Sequence, residues 1–345
     1  MAKIHNKKFE NALNGVAQAV PPIWFMRQAG RYHAHYQERR AKHSFMDLCK
    51  KPELAAEVAL GPVEDFDFDV SILFSDLLFP LESLGMGLDY NPAPSLAWNL
   101  DQTTIGKLAN PDEAIAGVEF QAEALHKTRE VLPDDKSLIG FVGGPWTLFG
   151  YAVEGSHKGG LIQTKANLSL WPKFCEKMVP FLKKNIALQL EAGAEIVMIF
   201  DTAAGEVHPQ VYQRQILPYL EEMAKDFAGR VAYYGKQTTD DHVDNPFFRK
   251  GSPLAGLGYD HRYDLTRILK EKKTPGFVQG NFDQGMLFLS HQEFKVELDR
   301  YLTQYAKLSE DERAGWVCGL GHGVLPKTPE ENVRFFVQRV REFFG

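Results

Sequence analysis

Eight short apolar runs, separated by longer stretches of helical periodicity, are what most limits the folds open to this chain. They are Ile23 to Met26, Val70 to Phe74, Leu138 to Val142, Glu195 to Phe200, Val231 to Tyr234, Leu254 to Leu257, Gly276 to Val278 and Trp316 to Cys318. Most are apolar at consecutive positions, so neither face suits water. Strands buried on both faces belong to parallel sheets, whose helical crossovers cover the sheet. Helices are expected at Pro52 to Phe66, Asp112 to Leu132, Trp171 to Ala192, Pro209 to Phe227, His291 to Lys307 and Pro329 to Phe344. The last should open on an N-cap Thr328, a first-turn Pro329 and Glu331 three residues after the cap.

Eight strands with intervening helices favour a closed (β/α)8 TIM barrel with loop insertions, although counting strands leaves an open doubly wound sheet possible. The 345 residues show no fixed-period repeat and read as one domain, residues 1–345. The stretch Gly85 to Leu108, with Pro92 and Pro94, reads as a loop insertion. Met1 to Gly15 has no continuous apolar stretch, so neither a signal peptide nor an anchor is expected, and no run approaches the ~18 residues of a membrane span. A net charge of −6 argues against a nucleic-acid partner. Cys49, Cys175 and Cys318 form no CxxC pair, which points to a reducing compartment and hence the cytoplasm.

Barrel active sites are built on the loops at the C-terminal ends of the strands. Polar residues collect there: Arg27 and Gln28, Ser75 and Asp76, Asp201 and Thr202, Lys236, Asp260, Asn281 and Asp283, and His322. Asp201, Asp260 and Asp283 read equally well as helix N-caps and as ligand-facing groups. Asp76 differs, because it stands alone between Ile72, Leu73, Phe74 and Leu77, Leu78, Phe79. A charge in such surroundings costs several kcal/mol unless it has partners, which favours a ligand-facing role.

Arg27 and Arg31 flank Gly30, with Arg40 shortly after; arginine forks bind carboxylates, although a solvated surface turn would look the same. The Gly319 to Gly323 loop could cradle a phosphate, and its His322 could move a proton, bind a ligand or be structural. In Gly140 to Gly155, Tyr151 suits the wall of a flat ligand pocket, while Trp146 suits the core. The pair His33 and His35 has no HExxH or CxxC companion and reads as a loop feature, so no metal site is expected.

Two segments resemble the signatures of the uroporphyrinogen decarboxylase family: Pro22 to Tyr32 (PIWFMRQAGRY) and Gly140 to Leu148 (GFVGGPWTL), the latter continuing to Tyr151, Glu154 and Gly155. The resemblance extends through Ile72 to Leu78, Val278 to Asp283 and Gly319 to Gly323. It implies a barrel, usually a homodimer, that converts uroporphyrinogen III to coproporphyrinogen III by four acetate-to-methyl decarboxylations without metal or organic cofactor. It also implies roles. Asp76 would accept hydrogen bonds from the pyrrole N–H groups; Arg27, Arg31 and Arg40 would engage side-chain carboxylates, with Arg27 a candidate proton donor. Tyr151, Thr202 and His322 would meet the substrate rim, and Phe74 would pack on the macrocycle. The chain departs from the family at His33, Ala34 and His35, where Leu, Pro and Glu are usual, and at Gln284, where Pro is usual.

Three rivals leave sequence marks. A cobamide-dependent methyltransferase would show a zinc-binding His and Cys where this chain has Tyr233, Tyr234, Gly235 and Lys236. A Schiff-base aldolase would use Lys236. A tetrapyrrole-binding protein without turnover would have little need of Arg27, Arg31, Asp76, Tyr151 and His322 together.

Overall fold

The computed structural model describes residues 3–90, 93–156 and 159–345, so Pro92 lies outside the described residues. Its main sheet has seven parallel strands in the order β1 (Val70–Ile72), β4 (Ser137–Gly143), β5 (Val197–Asp201), β6 (Val231–Gly235), β7 (Leu254–Gly258), β8 (Phe277–Phe282) and β9 (Trp316–Leu320). The other two strands, β2 (Asp89–Tyr90) and β3 (Pro94–Ser95), form an antiparallel ribbon within the expected loop insertion.

The first apolar run supplies the eighth stave. Ile23 bridges Cys318 in parallel, Trp24 N–H donates to Cys318 O at 3.1 Å and Cys318 N–H donates to Pro22 O at 2.9 Å. On its other side Asp69 N–H donates to Ile23 O at 3.0 Å, and the Asp69 carboxylate accepts from Ile23 N–H at 2.8 Å. The sheet therefore has no free edge between β9 and β1, and the closed barrel replaces the open sheet.

Side chains alternate between the barrel interior and the helix layer. Trp24, Met26, Val70, Ile139, Met198, Ala232, Tyr234, Phe277 and Val317 fill the inside, with Phe141 and Phe200 packed against them. The alternate residues Ile23, Phe25, Leu138, Val142, Val197, Ile199 and Tyr233 face the helices. A helix at Lys7–Leu13 stops the N-terminal end, its Phe9 ring 5.8 Å from that of Phe277. The interior is thus solid below the strand C-termini.

Helices Pro52–Phe66, Trp171–Glu191 and His291–Ala306 follow the expected positions closely. Two expected helices are broken. The first becomes Pro111–Ala114, a 3-10 turn and Glu119–Val131; the second carries a π turn at Tyr212–Ile216 before Leu217–Ala224. The last helix, Glu330–Phe344, has Pro329 rather than Thr328 at its N-cap, because the Thr328 hydroxyl donates back to Leu325 O at 2.8 Å. The His33 and His35 pair, expected in a loop, starts the helix Ala34–Lys42; His33 is fully buried, with Nε2 2.6 Å from Asp65 Oδ2.

Candidate active site

Above the top rung of the barrel opens a cavity with about 930 Å3 of empty space, its mouth included. Its floor is apolar, formed by Met26, Ile72, Phe141, Phe200 and the ring of Tyr234. Six of the eight site residues expected from sequence line it: Arg27, Phe74, Asp76, Tyr151, Thr202 and His322. Arg31 and Arg40 do not. Both are exposed and act electrostatically on Tyr36, whose ring lies 5.8 Å from Phe74, and Arg40 donates to His43 O at 3.0 Å.

Asp76 is the one carboxylate among the described lining residues. It follows β1 in a turn that it closes itself, accepting from Leu78 N–H at 2.9 Å. Burial raises its carboxyl above the usual range, against the lowering influence of Tyr90, the Leu78 N–H and the Arg27 charge. Tyr90, on β2, packs its ring 4.5 Å from Phe45, and its buried hydroxyl has no well-formed hydrogen bond among the described residues. Nothing in the sequence singles out Tyr90, because the ribbon that carries it is only two residues a side.

Arg27 has a left-handed backbone, φ 57°, where the first stave turns out of the barrel. Neighbours hold that turn: Gln28 Nε2 donates to Val70 O at 3.1 Å, and Val324 N–H donates to Met26 O at 2.9 Å. Tyr151 comes from the helix Pro145–Glu154; burial and the Asp76 charge push its hydroxyl up to about 12 although Arg27 opposes them. The Thr202 hydroxyl is buried and has no hydrogen-bond partner among the described residues.

His322 stacks on Tyr234, with ring centroids 6.0 Å apart and planes 12° from parallel. The Tyr234 hydroxyl donates to Gly321 O at 2.8 Å and lies 3.2 Å from His322 Nδ1. Since its single proton is committed to Gly321, Nδ1 serves as the donor to the Tyr234 oxygen. That tautomer gives a neutral His322 an acceptor at Nε2.

Other expectations change. In the Gly319 to Gly323 loop the glycines admit neighbours rather than a phosphate: Cβ atoms there would lie 2.3 Å from Trp24 O, 2.5 Å from His261 N and 2.5 Å from Arg27 Cδ. Of the three aspartates, Asp283 does cap, accepting from Gly285 N–H at 2.8 Å. Asp201 does not. Fully buried, it accepts from the Thr147 hydroxyl at 2.6 Å and the Tyr233 hydroxyl at 3.2 Å, and burial pushes it up to about 6. Asp260 ties loops together, accepting from Gln237 N–H at 2.7 Å and pairing with Arg262 at 2.6 Å. Trp146 is buried against Phe149 and Trp171, as expected of a core residue. Among the described residues no group of three His, Cys, Asp or Glu could hold a metal ion.

A closed parallel barrel with ionisable groups gathered over its strand C-termini defines an α/β-barrel enzyme. The chain belongs to the uroporphyrinogen decarboxylase family, whose model, "Uroporphyrinogen decarboxylase (URO-D)", matches residues 4–343. A relative of that name from Solibacter usitatus is 32% identical over 342 residues, covering 94% of each chain. One from Nostoc punctiforme is 36% identical over 355 residues, covering 96% of this chain and 94% of the relative. Among solved structures, a methyltransferase from Methanosarcina mazei superposes with a TM-score of 0.73 at 19% identity, covering 99% of each chain. That likeness establishes the fold alone.

Proposed function

We propose that this chain is a carboxy-lyase that converts uroporphyrinogen III to coproporphyrinogen III by four acetate-to-methyl decarboxylations in porphyrin biosynthesis. One observation carries the reading in atomic terms. Among the described lining residues Asp76 is the lone carboxylate over an apolar floor, with Arg27 and His322 also lining the cavity. A cyclic tetrapyrrole has the matching polarity, with N–H donors at its centre, apolar faces and carboxylates around its edge.

Asp76 accepts hydrogen bonds from the pyrrole N–H groups and stabilises the cation formed when a ring is protonated at carbon. That iminium receives the electron pair of the breaking C–C bond as carbon dioxide leaves. Protonation of the exocyclic methylene carbon and loss of the ring proton then give the methyl group, with one proton consumed overall. The ring is its own electron sink, so the scheme uses neither metal nor organic cofactor. Arg27 is the candidate proton donor and a carboxylate ligand. Tyr151, Thr202 and His322 meet the rim, Phe74 packs on the macrocycle, and Arg31 and Arg40 engage carboxylates reaching outward past Tyr36.

We read residues 1–345 as one domain, supported by a family match from residue 4 to 343. A homodimer follows from the family resemblance, and a cytoplasmic location is supported by three buried free cysteines. No helix among the described residues is long and apolar enough to cross a membrane. The experiment is anaerobic incubation of the purified, metal-stripped chain with uroporphyrinogen, followed by chromatography of the oxidised porphyrins. Passage through hepta-, hexa- and pentacarboxyl species to coproporphyrinogen is expected; tight binding without product would leave a tetrapyrrole-binding protein.

A further inference from the structure

Across the barrel mouth from the stave carrying Arg27 stand β6 and β7, and the residues just past their ends form a second cationic group. Ala232 and Tyr234 point into the barrel while Tyr233 faces the helices. Lys236 follows the last residue of β6 and donates its backbone N–H to Asp201 O at 3.1 Å, which sets it beside Thr202 and two residues beyond Tyr234, both of which line the cavity. It is partly buried and makes no ion pair among the described residues.

Arg262 approaches from β7. Its Nη1 lies 2.6 Å from Asp260 Oδ2, and its backbone N–H donates to Asp260 Oδ1 at 3.0 Å. Asp260 is 1% exposed and also accepts from Gln237 N–H, the residue after Lys236. One buried carboxylate therefore fixes Arg262 to the loop that carries Lys236. The Arg262 side chain is left 45% exposed, and its guanidinium has donors to spare.

The charges here are unbalanced. Burial first, and then the charges of Arg262 and Arg27, hold the Lys236 ammonium below its usual pKa against the raising influence of Glu206 and Asp260. Three cations share two carboxylates here, so a further anion would be favourable. The substrate brings carboxylates.

Resting on the decarboxylase reading, we propose that Lys236 and Arg262 form a carboxylate subsite on the β6–β7 wall, holding a propionate of the substrate that is never removed. The pair anchors one edge of the macrocycle while Arg27 engages the acetate that reacts. Lys236 and Arg262 are positioning residues, so their loss weakens binding more than chemistry.

The test compares Lys236→Met, Arg262→Gln and Lys236→Arg with the unaltered chain, both in turnover of uroporphyrinogen and in fluorescence titration with coproporphyrin III, which keeps all four propionates. Each neutral variant should raise KM and the coproporphyrin Kd by about tenfold, as expected for one charge-assisted contact. The change in kcat should stay within about threefold, and Lys236→Arg should recover most of the affinity. Unchanged KM and Kd in both neutral variants would overturn the proposal, and so would a fall in kcat at constant KM, which would move Lys236 into the chemistry. The titration separates the two readings. If the unaltered chain binds coproporphyrin through these residues but releases no carbon dioxide, the subsite stands and the decarboxylase reading falls.

Discussion

Gly323 lies under the side chain of Arg27: a Cβ there would sit 2.5 Å from Arg27 Cδ and 2.7 Å from Cγ. The two residues come from opposite ends of the chain and meet across the seam where the first stave closes the barrel against β9. The loop that carries His322 thus also sets the height of the Arg27 guanidinium.

Gly323→Ala should therefore act through Arg27. The added methyl pushes the Arg27 stem aside, and overpacking of this kind costs about 1–3 kcal/mol where nothing yields. The arginine is long and exposed and can yield, so thermal stability should change little while kcat/KM falls about tenfold or more. The check is a double-mutant cycle: added to Arg27→Ala, Gly323→Ala should cost nothing further. Full additivity would mean that the glycine acts elsewhere in the loop.

Asp76→Asn removes the charge from the cavity while leaving an oxygen that can still accept from Leu78 N–H. Turnover of uroporphyrinogen should drop by about 100- to 1000-fold, the usual loss when one preorganised electrostatic partner of a transition state is removed. Circular dichroism and the melting temperature should stay near those of the unaltered chain, since burial already works against the charge. Unimpaired turnover would take Asp76 out of the mechanism.

Tyr90→Phe tests the same carboxyl through pH. The proposed role uses Asp76 as the carboxylate, and burial holds its pKa above the usual value, so kcat/KM should fall as pH drops through that raised pKa. The Tyr90 hydroxyl favours the charged form. Without it the pKa rises further, and the acid limb of the pH profile should move to higher pH with the plateau nearly intact. A limb that stays in place would show that Tyr90 does not act on Asp76.

The barrel was legible because its strands are apolar on both faces, and each of the eight runs occupies a stave. β8 was read short, since Gln279 and Asn281 interrupt the apolar pattern; yet both are buried, Gln279 donating to Leu320 O at 3.1 Å and Asn281 to Asp260 O at 2.9 Å. Asp76 stood out because its neighbours in sequence are apolar. Tyr90 and Arg262 did not, and Lys236 stood out only as a strand-end lysine, because each gains its meaning from a partner distant in sequence or turned back across a loop. Asp201 was ambiguous for a similar reason: its partners Thr147 and Tyr233 lie on other elements.

Asp201→Asn should make the protein more stable at neutral pH. Its carboxyl is pushed up to about 6 by burial, from an unfolded value near 3.8. Between those values the folded state binds the proton more tightly than the unfolded state, so stability falls as pH rises from about 4 to 6 and the full penalty applies above 6. Two units correspond to about 3 kcal/mol as an order of magnitude. Asparagine avoids the charge and can keep the network: Oδ1 accepts from Thr147, and Nδ2 donates to the Tyr233 oxygen if the Tyr212–Tyr233 hydroxyl pair, 2.7 Å apart, reverses its direction. Urea unfolding of both proteins from pH 4 to 8 should show Asp201→Asn gaining on the unaltered chain as pH rises through 6. A difference independent of pH would mean that Asp201 is charged throughout and that Thr147 and Tyr233 are enough to hold it so.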